Sequence, residues 1–164
     1  MNGRNMAGRN GAGRNGAGRN KAARILVALG SIVLFASAAL HCLAYAKGLS
    51  PALGASNLAA PMQAALRAIF LLAGWDWIVI GVVALVAAFT ETKLRKVLVL
   101  VCGVAVLVQT GLTLAFIGFF IGNEMIGLAA LLILCGGLLF QEMPVEERLG
   151  EAHGTQKPRR NFPA

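Results

Sequence analysis

Apolar residues run almost unbroken through four stretches of the chain, Ile25 to Tyr45, Ala68 to Phe89, Val97 to Ile121 and Met125 to Phe140. Between them lie clusters of Gly, Pro, Ser, Asn and charged residues. A helix rises 1.5 Å per residue, so about 20 apolar residues cover a hydrocarbon layer about 30 Å thick. Three stretches meet that length, and the fourth does so when Gly122 to Gln141 is included. The pattern predicts an all-α fold, a four-transmembrane-helix antiparallel bundle over residues 24–142 with disordered termini. The spans are expected at about 25–45, 66–89, 97–121 and 123–141, with a tail at each end, 1–23 and 143–164.

The connections carry their own signals. Ser50-Pro51 has the form of a helix cap followed by proline in the first turn, and Pro61 can open the second long helix in the same way. That helix then starts above the membrane, with Arg67 near its outer boundary. Thr90 to Lys96 is a short charged turn. Gly122-Asn123-Glu124 is the break expected between the third and fourth helices. Beyond Gln141, Met143 to Leu149 suits a short surface helix before an unstructured end.

Composition agrees with a chain built for lipid. It is 57% hydrophobic and 13% charged with a mean hydropathy of +0.71, against about 25% charged in an ordinary soluble domain. The formal net charge of +8 is informative through its placement. Six basic residues precede the first span (Arg4, Arg9, Arg14, Arg19, Lys21, Arg24), three lie in the turn after the second (Lys93, Arg95, Lys96), and four follow the last (Arg148, Lys157, Arg159, Arg160). Only Lys47 and Arg67 fall on the other side. Basic loops stay cytoplasmic, so a multi-pass protein of the plasma or inner membrane is expected, positive inside, with both termini in the cytoplasm.

Gly-Arg-Asn recurs at residues 3–5, 8–10, 13–15 and 18–20, spaced by Gly, Ala and Met. A tract with no apolar face is expected to be disordered, and its cations suit anionic headgroups. Nucleic acid is disfavoured as a partner because no aromatic residue interrupts the repeat for base stacking. Met6 is a second possible start. Ala44-Tyr45-Ala46 resembles a signal-cleavage site, but the apolar run before it exceeds the 7–15 residues of a signal core, so retention as a span is expected. His41 before Cys42 speaks against lipoprotein processing.

Asp76, flanked by Trp75 and Trp77, is the one charged residue between Ala68 and Phe89. A carboxylate at such a depth is costly, and charged groups in spans commonly mark ion paths, proton relays or ligand counter-charges. Counting along each helix places Gln109 close to the midplane and Asp76 a few ångströms outward of it, with His41 and Glu124 about 9 to 10 Å outward of the midplane and Thr113 between. Asp76 shares its face with Ile69, Leu72, Ala73, Ile80 and Val83, so its partners are expected from other helices, His41 and Gln109 first. Arg67 lies half a turn out of phase. Asp76, His41, Gln109, Thr113, Glu124 and Arg67 are therefore the candidates for a ligand or proton site. The ordinary alternative is interhelical hydrogen bonding for Gln109, Thr110 and Thr113, interfacial placement for His41, and a structural, protonated carboxyl for Asp76. Trp75 and Trp77 themselves suit an interfacial belt if the helix sits lower.

No metal or other cofactor is expected. Cys42, Cys102 and Cys135 are dispersed among three spans with no Cys-x-x-Cys, and no glycine follows a strand to form a phosphate loop. Gly111, Ala115, Gly118, Gly127 and Ala130 are expected to supply close helix contacts, and the Gly136-Gly137 pair to loosen the inner end of the fourth helix.

Leu66-Arg67-Ala68-Ile69-Phe70 followed by Gly74-Trp75-Asp76-Trp77 and Gly81, after one span and an outer loop, resembles small bacterial four-helix integral membrane proteins that share a domain of unknown function. Some of those relatives carry histidine where this chain has Asp76. The resemblance spans residues 24–141 and implies architecture without an activity. The expected function is a non-enzymatic accessory subunit binding a lipid or a membrane-protein partner, or its own copies, through the outward polar cluster. The alternatives are a proton-coupled transporter or channel subunit using Asp76, and a membrane enzyme acting on a lipid or quinone with Asp76 and His41 as acid and base.

Overall fold

The computed structural model describes residues 6–141, which are all helix and connection. Helix α1 spans Met6–Ala44, continues through a π turn at Tyr45–Leu49, and ends in the short helix α2, Ser50–Gly54. Three long helices follow, α3 (Ala60–Phe89), α4 (Arg95–Ile117) and α5 (Ile121–Leu139). Four helices are long and apolar enough to cross a membrane, the first taken over Gly16–Gly54. The expected surface helix at 143–149 and the tail 143–164 lie outside the described residues.

Helix α1 begins earlier than expected. Residues 16–23, assigned from sequence to the unstructured tail, are helical. Each glycine costs a helix about 1 kcal/mol relative to alanine, but extending a formed helix avoids the nucleation cost. Tertiary contacts supply the rest. Ala23 is fully buried, and the Gln141 backbone N–H donates to Asn20 Oδ1 at 3.1 Å. Arg24 lies 3.8 Å from Glu91 and over the Phe89 ring.

Ser50-Pro51 also behaves differently from a cap that starts a fresh helix. The Ser50 N–H bonds to the Tyr45 carbonyl, five residues back. Proline has no N–H to donate and its ring crowds the carbonyl four residues earlier, and widening the preceding turn accommodates both. Pro61 sits in the first turn of α3 as expected, behind the extended Ala59. The turn from α4 to α5 is shifted. Gly118, at φ +91°, ends α4, and Phe119-Phe120 complete the connection. The expected break at Gly122-Asn123-Glu124 is instead the first turn of α5, and Asn123 Nδ2 reaches back to donate to the Gly118 carbonyl at 2.8 Å.

The helices pack in a ring, α1 on α3, α3 on α4, α4 on α5 and α5 back on α1, the last contact being the most extensive. Glycine sets the closest approaches. A Cβ at Gly136 would lie 2.6 Å from Val27 and 2.9 Å from the Ala23 carbonyl, and one at Gly30 would lie 2.7 Å from Ile133. Gly103 and Gly137 face Leu134 and Leu100 in the same way between α4 and α5. Of the positions expected from sequence, Ala130 is fully buried in the core, whereas Ala115 is exposed, Gly111 and Gly118 have nothing within 4 Å and Gly127 has only an ordinary contact with Thr110. Gly136-Gly137 thus tightens the bundle rather than loosening it. The core is a column of small and branched residues, among them Val27, Leu34, Ala84, Ala88, Val99, Val106, Ala129 and Ile133.

Candidate functional site

Helix α3 turns a small-residue face inward. Gly74, Trp77, Gly81, Ala84 and Ala88 are buried and follow one another at alternating spacings of three and four, one helical stripe. Gly81 admits the Phe35 ring of α1, whose edge would stand 2.7 Å from an added Cβ. Gly74 admits His41, at 3.2 Å on the same measure. The polar and aromatic groups of three helices meet in this gap.

His41 Nε2–H donates to the Phe70 carbonyl at 2.7 Å, and the imidazole stacks on the Phe70 ring with centroids 3.8 Å apart and planes 9° from parallel. The carbonyl belongs to the helical ladder, four residues before Gly74, and the missing side chain leaves it open to a second donor. The Trp77 indole meets His41 edge-on with centroids 4.8 Å apart, and Tyr45 lies 6.0 Å from the Phe70 ring. Trp77 is only 8% exposed, and its Nε1–H donates to Gln109 Oε1 at 3.0 Å. On α4, Thr113 Oγ donates to the Gln109 carbonyl at 2.8 Å and Thr110 to the Val106 carbonyl at 2.9 Å. The result is a clamp across α1, α3 and α4 in which the indole N–H is satisfied, as a buried one must be.

Two of the sequence candidates, His41 and Gln109, are thus linked, but through Trp77 and not through Asp76. Asp76 is exposed, with no hydrogen bond or ion pair among the described residues. One residue along a helix turns the side chain by about 100°, and burying Trp77 on the small-residue face swings Asp76 outward with Ile69 and Leu72, which are 65% and 56% exposed. The expectation that Asp76 would find His41 or Gln109 is corrected accordingly. Trp75 is 61% exposed on the flank opposite Trp77. Thr113 is half-buried and bonded to its own helix. Glu124 is exposed in the first turn of α5, where a carboxylate suits the positive end of the helix. Arg67 is half-buried with its Nε enclosed and without a hydrogen-bond partner, and it joins neither Asp76 nor the clamp.

Trp77 and the Phe70 carbonyl are what sequence reasoning missed. The signal for Trp77 was present, because small residues mark the packed face of a membrane helix and Trp77 falls between Gly74 and Gly81. Among the described residues no group of His, Cys, Asp and Glu is placed to hold a metal, and Cys42 and Cys135 are exposed and unpaired while Cys102 is buried. Comparisons with protein-family models, curated proteins and solved structures give no match for this chain. The resemblance to small bacterial four-helix proteins therefore assigns no site residue and no activity to this chain.

Proposed function

We propose that the chain is a multi-pass membrane protein, a four-span antiparallel bundle with both termini cytoplasmic, acting as a non-enzymatic accessory subunit that docks a membrane partner through the outer face of α3. The single observation that carries this reading is Asp76, an exposed carboxylate centred on an otherwise apolar face. Within a bilayer such a group is stable only against protein or a water-filled cavity, and on this chain it faces outward.

Other features support the setting. Large apolar side chains crowd the outside, including Ile32, Val86 and Leu131, whereas the interior is rich in Gly and Ala. That distribution suits a protein solvated by lipid, where close packing rather than exclusion from water joins helices. Antiparallel neighbours are supported by the contact registers. Gly30 meets Ile133 while Gly136 meets Val27, and Gly103 meets Leu134 while Gly137 meets Leu100. Arg24 lies beside the loop residue Glu91, bringing the basic start of α1 to the same end as Lys93, Arg95 and Lys96. A fusion reporter within residues 55–59 should read outside and one at the C-terminus inside; the reverse pattern contradicts the orientation.

The transporter alternative would route protons through Asp76, and the enzyme alternative would join it to His41. Neither draws support from a carboxylate turned away from the interior and a histidine committed to the Phe70 carbonyl. Purification from native membranes in mild detergent tests the accessory reading. A partner in fixed stoichiometry is expected, and repeated recovery of a bare monomer would count against it.

A further inference from the structure

The partner's chemistry can be taken a step further, on the basis of that docking reading. Along α3, Ile69, Leu72, Asp76, Val79, Val83 and Val86 are all exposed and spaced alternately three and four apart. Alternating steps of three and four are the repeat of a helix–helix seam, and a single polar residue in such a seam fixes register and partner. We infer that α3 docks a partner's transmembrane helix that carries one lysine or arginine at the depth of Asp76.

Charge complementarity selects this occupant over a second copy of the chain. Between residues 25–44, 68–89, 97–117 and 125–139 the sequence contains Asp76 and no Lys or Arg at all. The nearest basic residue on α3 is Arg67, nine residues or about 13 Å along the helix. His41 lies at a similar depth, beside Gly74, but it occupies the opposite side of α3 with Nε2 already donating to Phe70. A copy of this chain packed by the same face would therefore oppose Asp76 with Asp76, two like charges in a low-dielectric medium. A lysine or arginine on another helix would neutralise it, and the apolar residues on either side of Asp76 would pack around the pair and exclude competing lipid or water.

A designed probe tests the inference without knowledge of the natural partner. The probe is a single-span Leu-Ala helix with one central lysine, and its control has leucine at that position. Each is labelled and co-reconstituted with the full chain in phosphatidylcholine vesicles, and association is read by energy transfer. The lysine helix should bind about tenfold more tightly than its control, the scale of an interhelical polar pair. Asp76→Glu should keep that advantage, and Asp76→Asn and Asp76→Leu should abolish it. Asp76 touches neither Trp77's hydrogen bond nor the core, so unchanged unfolding transitions are expected for the variants and exclude misfolding as the cause. Equal binding of the two helices would overturn the inference. So would an advantage that survives Asp76→Leu, or self-association through Asp76 that the lysine helix does not displace. A native partner whose recovery is indifferent to Asp76→Leu would overturn it too while leaving the docking reading intact; loss of every native partner, with the lysine preference present, would instead strike at that reading.

Discussion

Trp77 commits its only polar atom to Gln109, and that bond joins α3 to α4 where His41 and Phe70 join α3 to α1. Interhelical polar pairs in membranes are worth about 0.6 kcal/mol on average and up to about 1.7. A double-mutant cycle with Trp77→Phe and Gln109→Leu, read by unfolding in mixed detergent micelles, should give a coupling energy in that range; a coupling indistinguishable from zero would show that the bond holds nothing together. Asp76→Asn should leave the same transition unchanged, because the carboxylate touches none of these groups. At this scale the sequence was half legible. Asp76, His41 and Gln109 stood out as polar residues in apolar runs, and two of them do belong to one cluster. Periodicity placed Ile69, Leu72 and Val83 on the face of Asp76 correctly, but it added Ile80, which packs against the core, and it did not show that this face points outward. The bulk of Ile69, Leu72 and Val83 against the smallness of Gly74, Gly81 and Ala84 held that information. The bond from His41 to a backbone carbonyl was beyond reach, since every helix presents the same carbonyls and only tertiary contact selects one.

Glycine decides how closely the elements approach, and its effect depends on what faces it. Gly136 lies against Val27 and the Ala23 carbonyl, so Gly136→Ala must push α1 and α5 apart. A destabilisation of about 1 to 3 kcal/mol is expected, as for other overpacked sites. Gly111→Ala meets nothing within 4 Å and removes a poor helix former from α4, so a gain of up to about 1 kcal/mol is expected. Equal effects of the two substitutions in the same unfolding assay would contradict this packing. The long helices and the proline start of α3 were readable from apolar run length and from Pro61. The α4–α5 turn was not, because Phe119 and Phe120 are as apolar as the spans around them and only the positive φ of Gly118 marks the reversal. The π turn before Pro51 escaped for a related reason: proline after serine signals a helix start or a widened turn equally well.

For the molecule as a whole, a lipid-like solvent reconciles an apolar exterior, a small-residue interior and a clustering of cations at one end. On the proposed membrane reading, the cost of an outward carboxylate on α3 makes the outer face of that helix the place to seek a partner. A nitroxide scan of α3 in the purified chain, reconstituted in phosphatidylcholine vesicles, tests that placement most directly. Oxygen accessibility should peak at Ile69, Leu72, Asp76, Val79 and Val83 and fall to minima at Gly74, Trp77, Gly81 and Ala84. A minimum at Asp76 with a maximum at Trp77, or access at Asp76 for a water-soluble nickel chelate in place of oxygen, would turn the carboxylate inward and contradict the outward placement.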